Sequence, residues 1–364
     1  MNHDPSLTPA RPPSANAPPA GGDLAWAGKR WRLRRLADEQ GFFAMVAIDQ
    51  RPPLFAQLAQ GLGCTPDELP YGEICAAKRV LAEGFAGAAT AMLVDPGWGY
   101  PACADVLDPR RGLLLTLEDH RTTADRRSRT IADWSVDQIR ALGGDAVKLL
   151  AWYHPRADAA VRAHQQALVA QVGADCARCE LPFVLELLLY PLGGAAAASD
   201  AAYRDDPAKR ADEVLESVET FAQPAYGVDL FKLESPLQPA QVPAPGQAGD
   251  EACARAFAAL HQACRGRPWV MLSAGASAAD FGRVVEQAAR AGAAGFLAGR
   301  ALWSDALALW PDRTAAAAAL AGQGRARLQA LHDTLRRCGR PWQPPAWRPG
   351  VSDERAFTRA RQAA

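Results

Sequence analysis

Eight short apolar runs alternate with Ala-rich amphipathic segments along one chain of 364 residues, and the first run leads into 49-DQRPP-53 rather than a Gly-rich phosphate turn. Together these observations predict an α/β protein, a single-domain (β/α)8 TIM barrel spanning 29–339. An open doubly wound sheet is the rival. Its usual phosphate fingerprint after the first strand is missing, so the barrel is the better reading.

The elements follow in order. Residues 1–28 are rich in Pro and Ala and carry no periodic apolar face, so they read as a disordered tail. The predicted strands are 43-FAMVAID-49, 91-AMLVD-95, 113-LLLTLE-118 and 146-AVKLL-150, then 183-FVLELLL-189, 229-DLFKLE-234, 269-WVMLS-273 and 295-GFLAG-299. Each is a short apolar run of strand length with turn signals at its ends. Between them lie helix signals. Ser135 precedes the apolar positions of 135–144 and glycines follow them, while Ser277 and Gly292 bracket 277–292 in the same way. Residues 322–339 read as a final helix, and 340–364 as an extended, Pro- and Trp-rich tail lying on the surface.

Composition narrows the function classes. Lys plus Arg and Asp plus Glu number 40 each, which gives no electrostatic reason for a nucleic-acid or membrane-surface partner. No apolar run is long enough to cross a membrane and no signal-peptide layout opens the chain, so a cytoplasmic enzyme is expected. Of the eight cysteines only 176-CARC-179 has ligand-like spacing, and it reads as a helical pair of small, partly buried thiols. His154, His164 and His261 form no metal-binding pattern. The expectation is therefore no metal and no cofactor.

In a barrel the active site lies at the C-terminal ends of the strands. Those ends carry Asp49, Gln50 and Arg51, then Asp95, Glu118, Lys148, Glu186, and Lys232 with Glu234. The last two strands run into 272-LSAG-275 and 298-AGR-300. Strand periodicity puts Leu230, Lys232 and Glu234 on one face and Phe231 and Leu233 on the other. With the apolar pair toward the helices, the charges point into the barrel.

Two readings of Lys232 then stand side by side. Desolvation and a neighbouring cation, for which Lys148 is placed, would leave a neutral amine able to attack a carbonyl and form a Schiff base. Alternatively Lys232 is a structural lysine paired with Glu234 or Glu186. At the last two strands, Ser273 and Gly275 supply a hydroxyl and a close-approach glycine, and Gly299 and Arg300 a turn and a cation. This pattern suits an anionic substrate.

The set FAMVAIDQR, DAVKLL, FVLELL, GVDLFKLE, LSAGAS and GFLAGRALW resembles the tagatose 1,6-bisphosphate aldolase family of class I barrel aldolases, which includes sulfofructosephosphate aldolase. The likeness covers about residues 41–305. It implies that Lys232 is the Schiff-base lysine, Glu186 the carboxylate handling the C4 hydroxyl proton and Lys148 the second active-site lysine. By the same likeness Asp49 and Gln50 form the first-strand polar pair, and Ser273, Gly275, Gly299 and Arg300 hold the C1 phosphate. Arg51 and Lys78 are candidates for the other anionic end, although Lys78 falls on a helix where a solvated surface lysine is the plainer reading.

The implied reaction is metal-independent cleavage of a phosphorylated ketose to dihydroxyacetone phosphate and an aldehyde such as glyceraldehyde 3-phosphate. The resemblance also implies a homo-oligomer. Alternatives are a sulfofructosephosphate or deoxy-keto-acid phosphate aldolase of the same mechanism, or a non-catalytic sugar-phosphate sensor on the same scaffold. Glu234 is expected to be a structural partner.

Overall fold

The computed structural model describes residues 26–121, 126–192, 209–347, 353–356 and 358–359. Most of the predicted N-terminal tail, most of the loop after the fifth strand and much of the C-terminal tail lie outside them. Helix α1 (Ala27–Leu36) leads into β1 (Phe43–Ala47), α2 (Pro52–Leu62), α3 (Tyr71–Phe85), β2 (Ala91–Val94), α4 (Gly99–Cys103) and β3 (Gly112–Thr116). Next come α5 (Val136–Ala141), β4 (Ala146–Trp152), α6 (Ala159–Cys179), β5 (Phe183–Leu188), α7 (Ala211–Phe221) and β6 (Leu230–Leu233). The chain continues through α8 (Asp250–Ala263), β7 (Trp269–Met271), α9 (Ala278–Ala291), β8 (Gly295–Ala298), α10 (Arg300–Leu307), α11 (Arg313–Ala319) and α12 (Arg325–Cys338).

The eight strands close in chain order, each parallel to the next, and β8 returns to β1 through Phe43↔Gly295. Gly295 is required there: a Cβ would sit on the Phe43 carbonyl oxygen. All eight predicted strands are present, so the (β/α)8 barrel is the observed fold. The predicted caps hold as well. Ser135 accepts from Gln138 N–H at 3.3 Å and Ser277 from Asp280 N–H at 3.1 Å, which satisfies donors that the first turn of a helix leaves open.

Strand alternation sorts the core into two layers. Phe231, Leu233, Val147, Leu149, Phe183 and Leu185 face outward, onto helix faces such as Phe281, Val284 and Val285 of α9. Each such large apolar side chain contributes about 1.5–3 kcal/mol on burial. The opposite phase fills the barrel with Phe43, Met45, Leu93, Leu114, Val184, Leu230, Val270 and Leu297.

The N-terminal end is plugged by Leu33 and Leu36 of α1 and by Trp342, whose ring stacks at 5.8 Å on Phe43. The surface placement expected for the tail is therefore wrong at Trp342, which is 9% exposed. The barrel mouth needs an apolar cover, and a Trp a few residues beyond α12 supplies one. Above these apolar layers the inward positions turn charged.

Candidate active site

Asp49 lies two residues past β1, and Lys148, Glu186 and Lys232 lie within β4, β5 and β6, all on the inward phase. Parallel register places Lys232 directly beside Glu186. Lys232 Nζ lies 3.0 Å from Glu186 Oε2, and Lys148 Nζ lies 2.7 Å from the same oxygen. Lys148 also reaches Asp49 Oδ2 at 2.9 Å and Glu118 Oε1 at 2.7 Å. All of these groups are buried. They line a cavity together with Gln50, Arg51, Ser273 and Arg300, and with an apolar wall of Leu150, Leu188 and Leu272.

The charges set one another. Burial works against the charge on Lys148, yet Asp49, Glu118 and Glu186 outweigh it and raise its pKa well above the usual lysine value. Burial likewise opposes ionisation of Glu186, but Lys148 and Lys232 win and hold its carboxyl below the ordinary range. Asp49 is held down in the same way, burial being overcome by Lys148, Lys232 and Arg51. The site thus holds ionised carboxylates at neutral pH, able to take a proton.

Arg51 is buried and bound to Glu118 twice, from Nη1 to the carbonyl at 3.0 Å and from Nη2 to the carboxylate at 3.2 Å. Its Nε–H is buried without a hydrogen-bond partner. Near it, burial followed by the Arg51 charge pulls His120 down to about 4, leaving a neutral imidazole between Phe55 and Trp98.

After β7 the chain makes a tight turn, Ser273 carbonyl accepting from Ala276 N–H at 2.7 Å. Ala274 and Gly275 take φ of 43° and 83°. A non-glycine residue at positive φ stores strain, and such residues gather at functional sites. The Arg300 guanidinium packs against Gly275, where an added Cβ would lie 3.0 Å from Nη1. Gln50 packs against Gly299 in the same way. From here a groove runs outward past Ser277 and Ser304.

Two expectations need correction. Lys78 is no solvated surface lysine and does not line the cavity. It is fully buried in α3, with Nζ 2.5 Å from Asp95 Oδ2 and donating to the carbonyls of Ile48 and Gln50 at 2.6 and 3.0 Å. It pins the end of β1 from beneath, since two open carbonyls and a buried carboxylate demand a cation there. The pairing of Lys232 with Glu234, one of the two structural readings, is also not what forms. Glu234 accepts from Leu189 N–H at 2.7 Å and from Lys209 at 3.1 Å, while Lys232 meets Glu186.

Glu118 was not among the candidate site residues, although it stands at a strand end. The signal was its phase: Leu114, Thr116 and Glu118 share the inward face as β3 runs on past its last ladder bond. The paired cysteines of α6 are buried, and burial pushes both thiols up, so neither is a reactive thiolate.

Residues 43–305 match the DeoC/LacD family aldolase. The chain is 31% identical over 327 residues to tagatose 1,6-diphosphate aldolase 2 of Enterococcus faecalis, covering 87% of this chain and 96% of that protein. It is 31% identical to tagatose 1,6-diphosphate aldolase of Lactococcus lactis subsp. lactis, covering 86% and 97%. In fold it resembles an archaeal fructose-1,6-bisphosphate aldolase whose catalytic Lys carries the carbinolamine intermediate, with a TM-score of 0.52 and 16% identity over 84% of this chain and 99% of that one. It also resembles fructose-bisphosphate aldolase from Plasmodium falciparum, with a TM-score of 0.59 and 12% identity over 88% and 98%. Among the described residues no helix is long and apolar enough to cross a membrane.

Proposed function

The chain belongs to the DeoC/LacD family of aldolases, and on that premise we propose that it is a class I aldolase acting through a Schiff base on Lys232. The substrate is a phosphorylated ketose of the tagatose 1,6-bisphosphate type, and the products are dihydroxyacetone phosphate and glyceraldehyde 3-phosphate. The observation that carries the reading is a buried lysine on the inward face of β6, bonded at 3.0 Å to an ionised carboxylate inside the cavity.

The chemistry runs through that pair. Proton transfer from Lys232 to Glu186 frees the amine, which attacks the C2 carbonyl; loss of water leaves an iminium. The Lys148 ammonium stabilises negative charge developing on the oxygen under attack. Glu186, once more a carboxylate, takes the C4 hydroxyl proton as the C3–C4 bond breaks. The bond electrons move into the iminium, giving a neutral enamine, and the aldehyde half departs. Glu186 returns that proton to C3, and addition of water to the iminium releases dihydroxyacetone phosphate and restores the Lys232 ammonium beside the Glu186 carboxylate.

The iminium is the electron sink, so the proposal includes independence of metal ions. The Ser273–Gly275 turn and Arg300 are proposed to hold the C1 phosphate, with Asp49 and Gln50 beside the sugar hydroxyls and Arg51 toward the distal end.

Reduction with borohydride in the presence of dihydroxyacetone phosphate, followed by peptide mass mapping, tests this. The adduct is expected on Lys232; an adduct that spares Lys232 sinks the assignment. Activity on tagatose 1,6-bisphosphate is expected to survive EDTA, whereas its loss and restoration by zinc would point to metal-dependent cleavage.

A further inference from the structure

Two lysines in this cavity are chemically able to attack the same carbonyl. Lys148 and Lys232 both form ion pairs with Glu186 Oε2, at 2.7 and 3.0 Å, and each is 3% exposed. Their nitrogens therefore lie within two hydrogen-bond lengths of each other. What separates them is the company they keep. Lys148 faces three carboxylates, Asp49 from beyond β1, Glu118 from beyond β3 and Glu186 from β5, while among the described residues Lys232 of β6 pairs with Glu186 alone.

The three carboxylates are not equivalent. Asp49 and Glu186 feel both lysines. Glu118 is bound to Lys148 at 2.7 Å and to Arg51 at 3.2 Å, and its other oxygen is fixed by Leu150 N–H at 3.1 Å. It therefore bonds directly to Lys148, whereas the ion pair of Lys232 is with Glu186.

We propose that Glu118 is a positioning residue that assigns the nucleophile, keeping Lys148 an ammonium so that Lys232 is the amine that attacks. The proposal rests on Lys232 being the Schiff-base lysine and adds why it is that lysine. The charge balance gives the physical reason. With Glu118, the cations Lys148, Lys232 and Arg51 face an equal number of carboxylates. Without it, two carboxylates face three cations. Arg51 cannot give up a proton, and it keeps the residue-118 carbonyl but loses the carboxylate that balanced its charge. Lys148, with one carboxylate fewer and the Arg51 charge close by, sheds its proton more readily than in the wild type.

Glu118→Gln keeps the shape and the Leu150 contact but removes the charge. Borohydride reduction with dihydroxyacetone phosphate, repeated across a rising pH series, then reads the label on the Lys148 and Lys232 peptides. The wild type is expected to label Lys232 throughout. Glu118→Gln is expected to show a second adduct on Lys148, growing with pH, and Glu118→Asp to return the label to Lys232. A folded Glu118→Gln labelled on Lys232 alone overturns the proposal, because a merely structural glutamate would lower yield without moving the label.

Wild-type label missing from Lys232 would instead refute the underlying Schiff-base assignment. Should Glu118→Gln not fold, reductive methylation of the wild type over the same series decides. Lys232 is expected to react at lower pH than Lys148, and the reverse order overturns the inference.

Discussion

Gly275→Ala tests the proposed phosphate site with one added methyl. Gly275 has φ of 83°, where an alanine pays about 1–2 kcal/mol for its Cβ. That methyl would stand 3.0 Å from Arg300 Nη1, 3.1 Å from Cζ and 3.2 Å from Nη2, closer than ordinary contact. The arginine tip is the movable partner, so it yields and leaves its position over the turn. A charge-assisted hydrogen bond is worth about 1.5–3 kcal/mol, so losing one to the C1 phosphate raises KM by about 10- to 150-fold. That contact is made equally in the ground and transition states, so kcat should change little. The assay is steady-state cleavage of tagatose 1,6-bisphosphate beside the analogue lacking the C1 phosphate, together with thermal melting. The expected result is a raised KM for the bisphosphate only, with a small drop in Tm. A lowered Tm with KM unchanged for both would refute the placement of the phosphate against Arg300.

Three further outcomes follow from the same geometry. Lys78→Met strands the buried Asp95 and the Ile48 and Gln50 carbonyls, so unfolding free energy in urea should fall by about 3–5 kcal/mol; a change well below that would mean the pair is dispensable. Trp342→Ala opens the plug under Phe43 and should cost up to about 3–5 kcal/mol with kcat retained, because the plug is at the end opposite the site; a large loss of kcat in a folded variant would contradict that separation. His120 binds its proton at 6.5 when unfolded but only near 4 in the fold. Protons therefore favour unfolding: its contribution is complete above 6.5, declines as pH falls toward 4 and is flat below. Urea titrations across that window should show a shallower slope for His120→Phe than for the wild type, and equal slopes would refute the burial argument.

The chain's local patterns determined a good deal. The period-two alternation in 229-DLFKLE-234 and 183-FVLELLL-189 was enough to place Lys232 and Glu186 on the inner face, because a strand side chain has only two faces to choose from. The caps at Ser135 and Ser277 were legible for a similar reason, since the bond each makes spans three residues. The two-residue turn with Ala274 and Gly275 at positive φ was legible only as a small-residue stretch, and its strain belongs to the folded backbone.

What tertiary structure alone decided is partnership. Whether Lys232 would meet Glu186 or Glu234 depended on the register of β5 against β6. Glu118 met Lys148 and Arg51 because three strand ends converge, and no local window contains them all. Lys78 was misjudged from its helical position since burial on α3 is set by how that helix lies against the end of β1. Trp342 was misjudged because only the closed barrel creates the apolar opening that it covers. Phase is a property of neighbours along the chain, whereas pairing depends on distances across it. The sequence by itself therefore placed Lys232 on the inner face, and the fold decided which carboxylate holds it.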